Sequence, residues 1–336
     1  MMLAPGVRLG PYEIESVVGA GGMGLVYRAR DTRLDRPVAL KLLPEEFRER
    51  IDRKQRFQAE ARLISALNHP HICALFDVGE QDGAVFLVME YLEGETLEDR
   101  ITRGPLPARA LLRYAAQIAD ALDHAHQVQI THRDLKPSNV MLTATGVKLL
   151  DFGLARGPVL ATTGASTESL MSPGRLTGEG TLLGTFQYMA PEQLEGKEAD
   201  GRTDIFAFGT LLFEMATGRK AFEGTSQASL IASILTTTPP VLSSTRPGSH
   251  ADAVPVALDH IVERCLAKNP DERWQTARDL KLELEWVATG GVRTSTARKP
   301  TPRRHLRPLL LLAAATALIV AAAFGFSRFR QPAPQT

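Results

Sequence analysis

Cysteine is nearly missing from this chain: two residues, Cys73 and Cys265, in 336. Two lone thiols cannot build a disulfide framework and match no metal-ligand spacing, which points to a reducing compartment. Between Met1 and Gly10 no apolar run follows a basic start, so no secretory leader is expected. No internal repeat is visible. Acidic residues are missing from positions 289–336, which hold Arg293, Arg298, Lys299, Arg303, Arg304, Arg307, Arg328 and Arg330. The whole chain carries 39 basic and 38 acidic residues, a formal charge of +1; without that tail 31 basic residues face 38 acidic ones, a net −7. An acidic body with a basic tail speaks against nucleic-acid binding by the body. Hydrophobic residues at 44% and charged residues at 23% are those of a globular protein and exclude a disordered or collagen-like chain. The length exceeds one typical domain and suits a two-lobed domain with an extension.

What is present falls into three regions. Tyr12–Val18 and Leu25–Ala29 read as strands flanking a glycine cluster, and Pro37–Leu43 reads as a buried strand. Arg53–Leu67 places Phe57, Ala61, Ile64 and Leu67 at helical spacing and ends at Asn68-His-Pro70. Ala74–Val78 and Ala84–Met89 read as two further strands around a Gln81-Asp-Gly83 turn. Beyond Glu90 the pattern becomes helical, clearest over Pro107–Val128, Asp204–Thr217, Leu258–Leu266 and Thr276–Val287. Residues 154–189 are rich in Thr, Ser and Gly; so long a loop inside a domain is usually functional or disordered, and here the motifs around it favour function.

The third region is a basic, Thr/Pro-rich linker over 289–308, then Leu309–Phe326 without a charge or a proline. At a rise of about 1.5 Å per residue this run spans about 27 Å, near the thickness of bilayer hydrocarbon. It is expected to be a transmembrane helix, with a short tail at 327–336. The heavier basic cluster, Arg303, Arg304 and Arg307, precedes it, which keeps the body on the cytoplasmic side of the cell membrane.

Gly19-Ala-Gly-Gly-Met-Gly24 followed by Val26 gives G-x-G-x-x-G-x-V between two strands. Glycines permit a tight turn and let backbone N–H groups approach phosphate oxygens. A strand rather than a helix follows, which argues against a dinucleotide-binding βαβ unit. Val38-Ala-Leu-Lys41 puts a lysine on the next strand, where an apolar setting demands a counter-charge; Glu60 on the charged helix is the natural partner. His132-Arg-Asp-Leu-Lys-Pro-Ser-Asn139, Asp151-Phe-Gly153 and Ala190-Pro-Glu192 follow in order.

On these five motifs the chain resembles the eukaryotic-type serine/threonine protein kinases found as membrane-anchored proteins in bacteria, over about residues 12–288. The resemblance implies an α+β bilobal fold: a small antiparallel β-sheet lobe with one helix (about 12–90) and a larger α-helical lobe (about 91–288). It implies ATP and Mg²⁺, with Mn²⁺ as a substitute. Val18, Gly19, Ala20, Gly21, Gly22, Gly24, Val26 and Ala39 would surround the nucleotide, Lys41 would bind its phosphates and pair with Glu60, and Met89 would gate the back of the adenine pocket. Glu90 to Leu92 would form the hinge, and Met141 the pocket floor. Asp134 would accept the substrate proton, Lys136 would neutralise the transferred phosphoryl group, and Asn139 and Asp151 would hold the metal. Glu192 would pair with Arg273, and Asp204 would hold the catalytic-loop backbone.

Lys136 and Thr185 imply serine/threonine-directed phosphorylation of proteins. Arg133 before the presumed base implies switching by loop phosphorylation, for which Thr177 and Thr181 are the expected sites, with a homodimer as the route to trans-autophosphorylation. A pseudokinase scaffold is the alternative, and it predicts loss of Lys41, Asp134, Asn139 or Asp151; all four are present. A small-molecule phosphotransferase would generally lack the Ala190-Pro-Glu192 segment.

Overall fold

The computed structural model of the chain describes residues 2–21, 24–43, 57, 60–152, 186–242 and 255–290. Apolar and polar positions alternate in its N-terminal strands. Along β4 (Arg36–Leu42), Val38 and Leu40 are buried on one face while Ala39 and Lys41 take the other, the period of two that a pleated strand imposes. β4 lies in a six-stranded sheet with β1 (Arg8–Leu9), β2 (Tyr12–Gly21), β3 (Gly24–Asp31), β5 (Leu75–Gln81) and β6 (Ala84–Glu90), ordered β1-β2-β3-β4-β6-β5. Every neighbouring pair is antiparallel. β5 and β6 are joined by Asp82 and Gly83, with φ of 52° and 75°, the left-handed pair that a two-residue hairpin requires. One face of the sheet forms its own core from Tyr12, Ile14, Tyr27, Val38, Leu40, Phe86 and Val88. Residues 60–65 form helix α1, with Ala61 and Ile64 buried.

The larger lobe is mostly helical. β7 (Gly94–Thr96) leads into α2 (Leu97–Thr102) and α3 (Ala108–Gln127); β8 (Val140–Thr143) and β9 (Gly146–Leu149) follow. Then come α4 (Pro191–Leu194), α5 (Gly201–Thr217), α6 (Gln227–Thr236), α7 (Ala257–Cys265) and α8 (Ala277–Ala288). β7, β8 and β9 make a small antiparallel sheet. α3 buries Leu111, Leu112, Ala115, Ile118, Ala119 and Leu122, a one-sided stripe of helical period. α5 is buried on all sides from Thr203 to Ala216, as befits a helix through the middle of a core. A Cβ at Gly209 would lie 2.5 Å from the Cys265 Cβ, so glycine is what lets α5 and α7 cross this closely.

The expected long helices are therefore found within a few residues of their sequence-derived limits. β1, β7, β8, α2 and α6 went unpredicted, being short or, in α6, only weakly amphipathic to the eye. Leu309–Phe326, expected to span a membrane, lies outside the described residues; among the described residues no helix is long and apolar enough to cross one.

Two buried charges tie α4 to the rest of the lobe. Arg273, with no solvent exposure, directs Nη1 and Nη2 at the two carboxylate oxygens of Glu192 (2.7 and 2.8 Å). Its other donors reach the carbonyls of Ala267, Arg202 and Lys268 (2.8, 3.0 and 3.0 Å). All five N–H groups of the guanidinium are thus used. Glu192 also accepts from the Thr203 hydroxyl (2.9 Å). Burial alone would raise the Glu192 carboxyl, but the hydrogen bonds and charge of Arg273 more than offset it and hold it below its ordinary 4.5.

Removing one member of such a pair strands the other in a low dielectric, at a cost of about 3–5 kcal/mol. Urea unfolding of Arg273→Met is expected to show that loss, and the Glu192→Gln/Arg273→Met double variant less than the sum of the singles. The pH dependence has a definite sign. Because the folded carboxyl binds its proton more weakly than the unfolded one, the pair's contribution is complete above pH 4.5 and declines as pH falls below it. The urea midpoint of the native chain should therefore drop more steeply below pH 4.5 than that of Arg273→Met.

Candidate active site

Register places the sheet's second face over the cleft between the lobes. Val26 is opposite Lys41, and Lys41 opposite Leu87; Arg28 is opposite Ala39, and Ala39 opposite Met89. Residues directly opposed, or two apart, share a face, so Val26, Ala39, Lys41 and Met89 line one surface. Gly19 is opposite Val26 at the end of the β2–β3 hairpin, and Gly24 is left-handed, φ 120°. Val18 is 55% exposed. Among the described residues, its chain neighbours aside, no atom lies within 4 Å of where a Gly19 Cβ would sit, so packing among them does not require glycine there. Gly22 lies outside the described residues, as does the side-chain environment of Ala20.

The expected hinge, Glu90 to Leu92, begins at the last residue of β6 and runs into the irregular segment Tyr91–Glu93 that precedes β7. At its start, the Glu90 N–H donates to the Ala74 carbonyl (2.9 Å), and the Glu90 carboxylate is held by Lys148 of β9 (2.8 Å). Leu92 and Met141 are partly buried on the large-lobe side. The segment before β5 is fixed to the same strand: the Cys73 N–H donates to the Leu149 carbonyl and the Leu149 N–H to the His71 carbonyl, both 2.9 Å. Lys148 was not anticipated. A lysine between buried Val147 and Leu149 signals an outward-facing position, but nothing local names its distant carboxylate.

The loop after α3 carries the next group. Asp204, fully buried near the start of α5, accepts the N–H of His132 (2.7 Å) and of Arg133 (2.8 Å). It also pairs with His126 Nε2 (2.8 Å). Arg133 is left-handed, φ 62°, a conformation costing about 1–2 kcal/mol for a side chain with a Cβ, which this clamp sustains. The His132 ring lies 4.6 Å from that of Phe152, and burial lowers its proton affinity. Asp134 follows. Its Oδ2 receives Lys136 Nζ at 2.9 Å and Asn139 Nδ2 at 3.1 Å, and Asn139 also donates to the Asp134 carbonyl (2.8 Å). With both amide hydrogens so used, the Asn139 side-chain oxygen is left as an acceptor.

Asp151 closes the site. Its backbone is left-handed, φ 50°, and its Oδ2 lies 2.7 Å from Lys41 Nζ. The expected partner of Lys41 is Glu60; the ion pair found for its ammonium is with Asp151. A buried ammonium takes the carboxylate that comes within hydrogen-bonding distance, and the strand sequence could not say which one would. The structure thus brings Lys41 to Asp151, and Asp134 to Lys136 and Asn139. Gly153, Thr177, Thr181 and Thr185 lie outside the described residues.

The cysteines take no part in this chemistry. Burial pushes the Cys73 thiol up to about 12 and that of Cys265 higher still, far from the thiolate a nucleophile needs. Among the described residues no three His, Cys, Asp or Glu side chains converge as a metal cage. One carboxylate and one carboxamide, Asp151 and Asn139, are nonetheless hard oxygen ligands of the number Mg²⁺ takes from protein when phosphate oxygens and water complete its shell.

Comparison with known proteins agrees with this geometry. A family model described as protein kinase domain matches residues 12–286. The serine/threonine-protein kinase PrkC of Bacillus subtilis is 37% identical over 278 residues, covering 82% of this chain and 40% of PrkC. PknB of Mycolicibacterium smegmatis is 40% identical over 285 residues (83% and 43%), and PknD of Mycobacterium tuberculosis 41% over 280 (82% and 40%). The chain therefore spans about two fifths of the length of these curated relatives. Among solved structures, the kinase domain of Mycobacterium tuberculosis PknI aligns with a TM-score of 0.65 and 28% identity, covering 85% of this chain and 99% of that one. Strand register, catalytic-loop clamp and sequence likeness lead to one assignment: the chain belongs to the protein kinase domain family, beside the bacterial serine/threonine kinases.

Proposed function

We propose that this protein is an active serine/threonine protein kinase that transfers the γ-phosphoryl group of ATP to hydroxyls of protein substrates. The observation that carries the reading is the pairing of Lys41 with Asp151 across 110 positions of sequence, together with the local cluster of Asp134, Lys136 and Asn139 in the loop after α3. Transfer breaks the bond between Pγ and the β,γ-bridging oxygen and forms one from Pγ to the substrate oxygen. ADP leaves, and the hydroxyl proton passes to Asp134. Lys41 offers a buried positive charge to the nucleotide phosphates, and Lys136, already beside Asp134, offers another to the transferring group. Val26, Ala39 and Met89 supply an apolar surface for the adenine, and the open space at Gly19 lets phosphates approach the hairpin backbone. Asn139 and Asp151 would hold Mg²⁺, which when bound neutralises charge on the phosphates. A pseudokinase scaffold has no missing group to rest on.

Regulation and location extend the proposal. Thr177 and Thr181 are the proposed autophosphorylation sites, with trans-phosphorylation in a homodimer the route, and Thr185 is the residue that matches the catalytic-loop-contacting threonine of serine/threonine kinases. Residues 309–326, preceded by Arg303, Arg304 and Arg307, would anchor the kinase to the cytoplasmic membrane, with the catalytic lobes on the cytoplasmic side.

Incubated with radiolabelled ATP and a generic protein substrate, the native chain should transfer label. Asp134→Asn should lower kcat by about 10²–10⁴-fold, the usual contribution of a proton acceptor, with an unchanged melting temperature; full activity in Asp134→Asn would refute the assigned base. Mass spectrometry after incubation with ATP should find phosphate on Thr177, Thr181 or both, and phosphate confined to other positions would reject those sites. Full-length protein should stay with membranes through alkaline carbonate washing, and deletion of 309–326 should release it; retention by the deleted form would reject the anchor.

A further inference from the structure

Arg133 is held from both sides. Asp204 accepts its N–H (2.8 Å), and its carbonyl accepts a hydrogen bond from Gln193 Nε2 (3.2 Å). Gln193 lies on α4, and its other end is also occupied: Oε1 accepts the Ala190 N–H (3.0 Å), which starts that helix. An amide side chain can accept at its oxygen and donate at its nitrogen in this way.

The neighbours of these residues tie the arrangement to the core. Gln193 follows Glu192, locked to fully buried Arg273 by two hydrogen bonds. Asp204 follows Thr203, whose hydroxyl donates to Glu192 (2.9 Å). Two adjacent pairs, Glu192–Gln193 and Thr203–Asp204, are thus bonded to each other through their first members, while their second members hold the two ends of Arg133. That residue is left-handed (φ 62°) and is bonded directly to Asp134. A rotation of either flanking peptide would swing the Asp134 carboxylate away from Lys136 and Asn139.

We propose that Gln193 is a positioning residue of phosphoryl transfer: by donating to the Arg133 carbonyl it fixes the peptide unit that sets the Asp134 carboxylate. The inference deepens the kinase reading above and rests on it. Gln193 touches neither nucleotide nor acceptor hydroxyl, so its effect belongs in kcat, not in nucleotide affinity. A misplacement on the order of 1 Å at a reacting group is enough for about a 100-fold loss of rate.

The test uses two near-isosteric variants of the full chain. Gln193→Glu keeps the acceptor for Ala190 but turns a carboxylate oxygen toward the Arg133 carbonyl; Gln193→Met loses both bonds. Both should lower kcat by about 10–100-fold, with KM for ATP within about twofold of native. Gln193→Glu should also keep the native melting temperature, since the helix cap remains. If the side chain only caps α4, Gln193→Glu will turn over at the native rate and Gln193→Met will lose thermal stability alone; that result overturns the proposal while leaving the kinase reading intact. A native chain that transfers no phosphate under the same conditions overturns both.

Discussion

The carboxylate of Asp204 is the fixed point of this molecule. A fully buried charge is tolerable only when donors surround it, and Asp204 finds three: the backbone of His132, the backbone of Arg133 and the His126 ring. Two of these donors come from a loop with no regular structure of its own and the third from the last turn of α3, so the cost of burying the charge is what orders the loop. α5 supplies the anchorage. Buried on all sides and packed against α3 and α7, it cannot shift without opening the core. The loop that carries Asp134 is therefore as rigid as the hydrophobic interior, although it lies at a cleft.

The same logic explains why so much charge is buried in the larger lobe. Replacing buried ion pairs by packed apolar side chains often leaves stability unchanged or improves it, so stability alone does not account for Glu192, Arg273 and Asp204. What an apolar substitute lacks is direction. The fork of Arg273 meets both oxygens of Glu192, fixing the orientation of α4 as well as its position, and a left-handed arginine is held in place beside the base. The strain at Arg133 and Asp151 sits at the two residues where the chain must turn a carboxylate into the cleft, in keeping with strained backbone gathering at functional sites.

Much of this was legible in the sequence. The apolar run Pro37–Leu43 identified a buried strand carrying Lys41, and the motif spacing identified Asp134, Lys136, Asn139 and Asp151. What failed to show was pairing at long range. A lysine on an apolar strand requires a carboxylate, and Glu60 is the expected partner; the contact with Asp151 at 2.7 Å, across 110 positions of sequence, becomes visible only in the fold. Lys148 and Gln193 escaped for the same reason, since their partners, Glu90 and the Arg133 carbonyl, lie far away along the chain. Short elements such as β1 and β7 offered too few residues for a period to appear.

The two lobes are joined by polar contacts of two kinds, and their placement separates rigidity from motion. On the hinge side, backbone hydrogen bonds between His71–Cys73 and Leu149, with Lys148 on Glu90, fasten the segment before β5 and the end of β6 to β9. These are short, partly buried links to a strand of the larger lobe, and they resist sliding. Deeper in the cleft the link is the Lys41–Asp151 pair, with 8% and 21% side-chain exposure, between two groups that a nucleotide and its cation would each engage. A polyphosphate competes for the lysine and a divalent cation for the aspartate, so the contact that closes the cleft can be exchanged for ligand contacts of the same charge type. The backbone links at the hinge carry no charge that such a ligand could claim. The contact that such a ligand can exchange thus lies in the cleft, and the backbone contacts it cannot exchange lie beside the hinge segment.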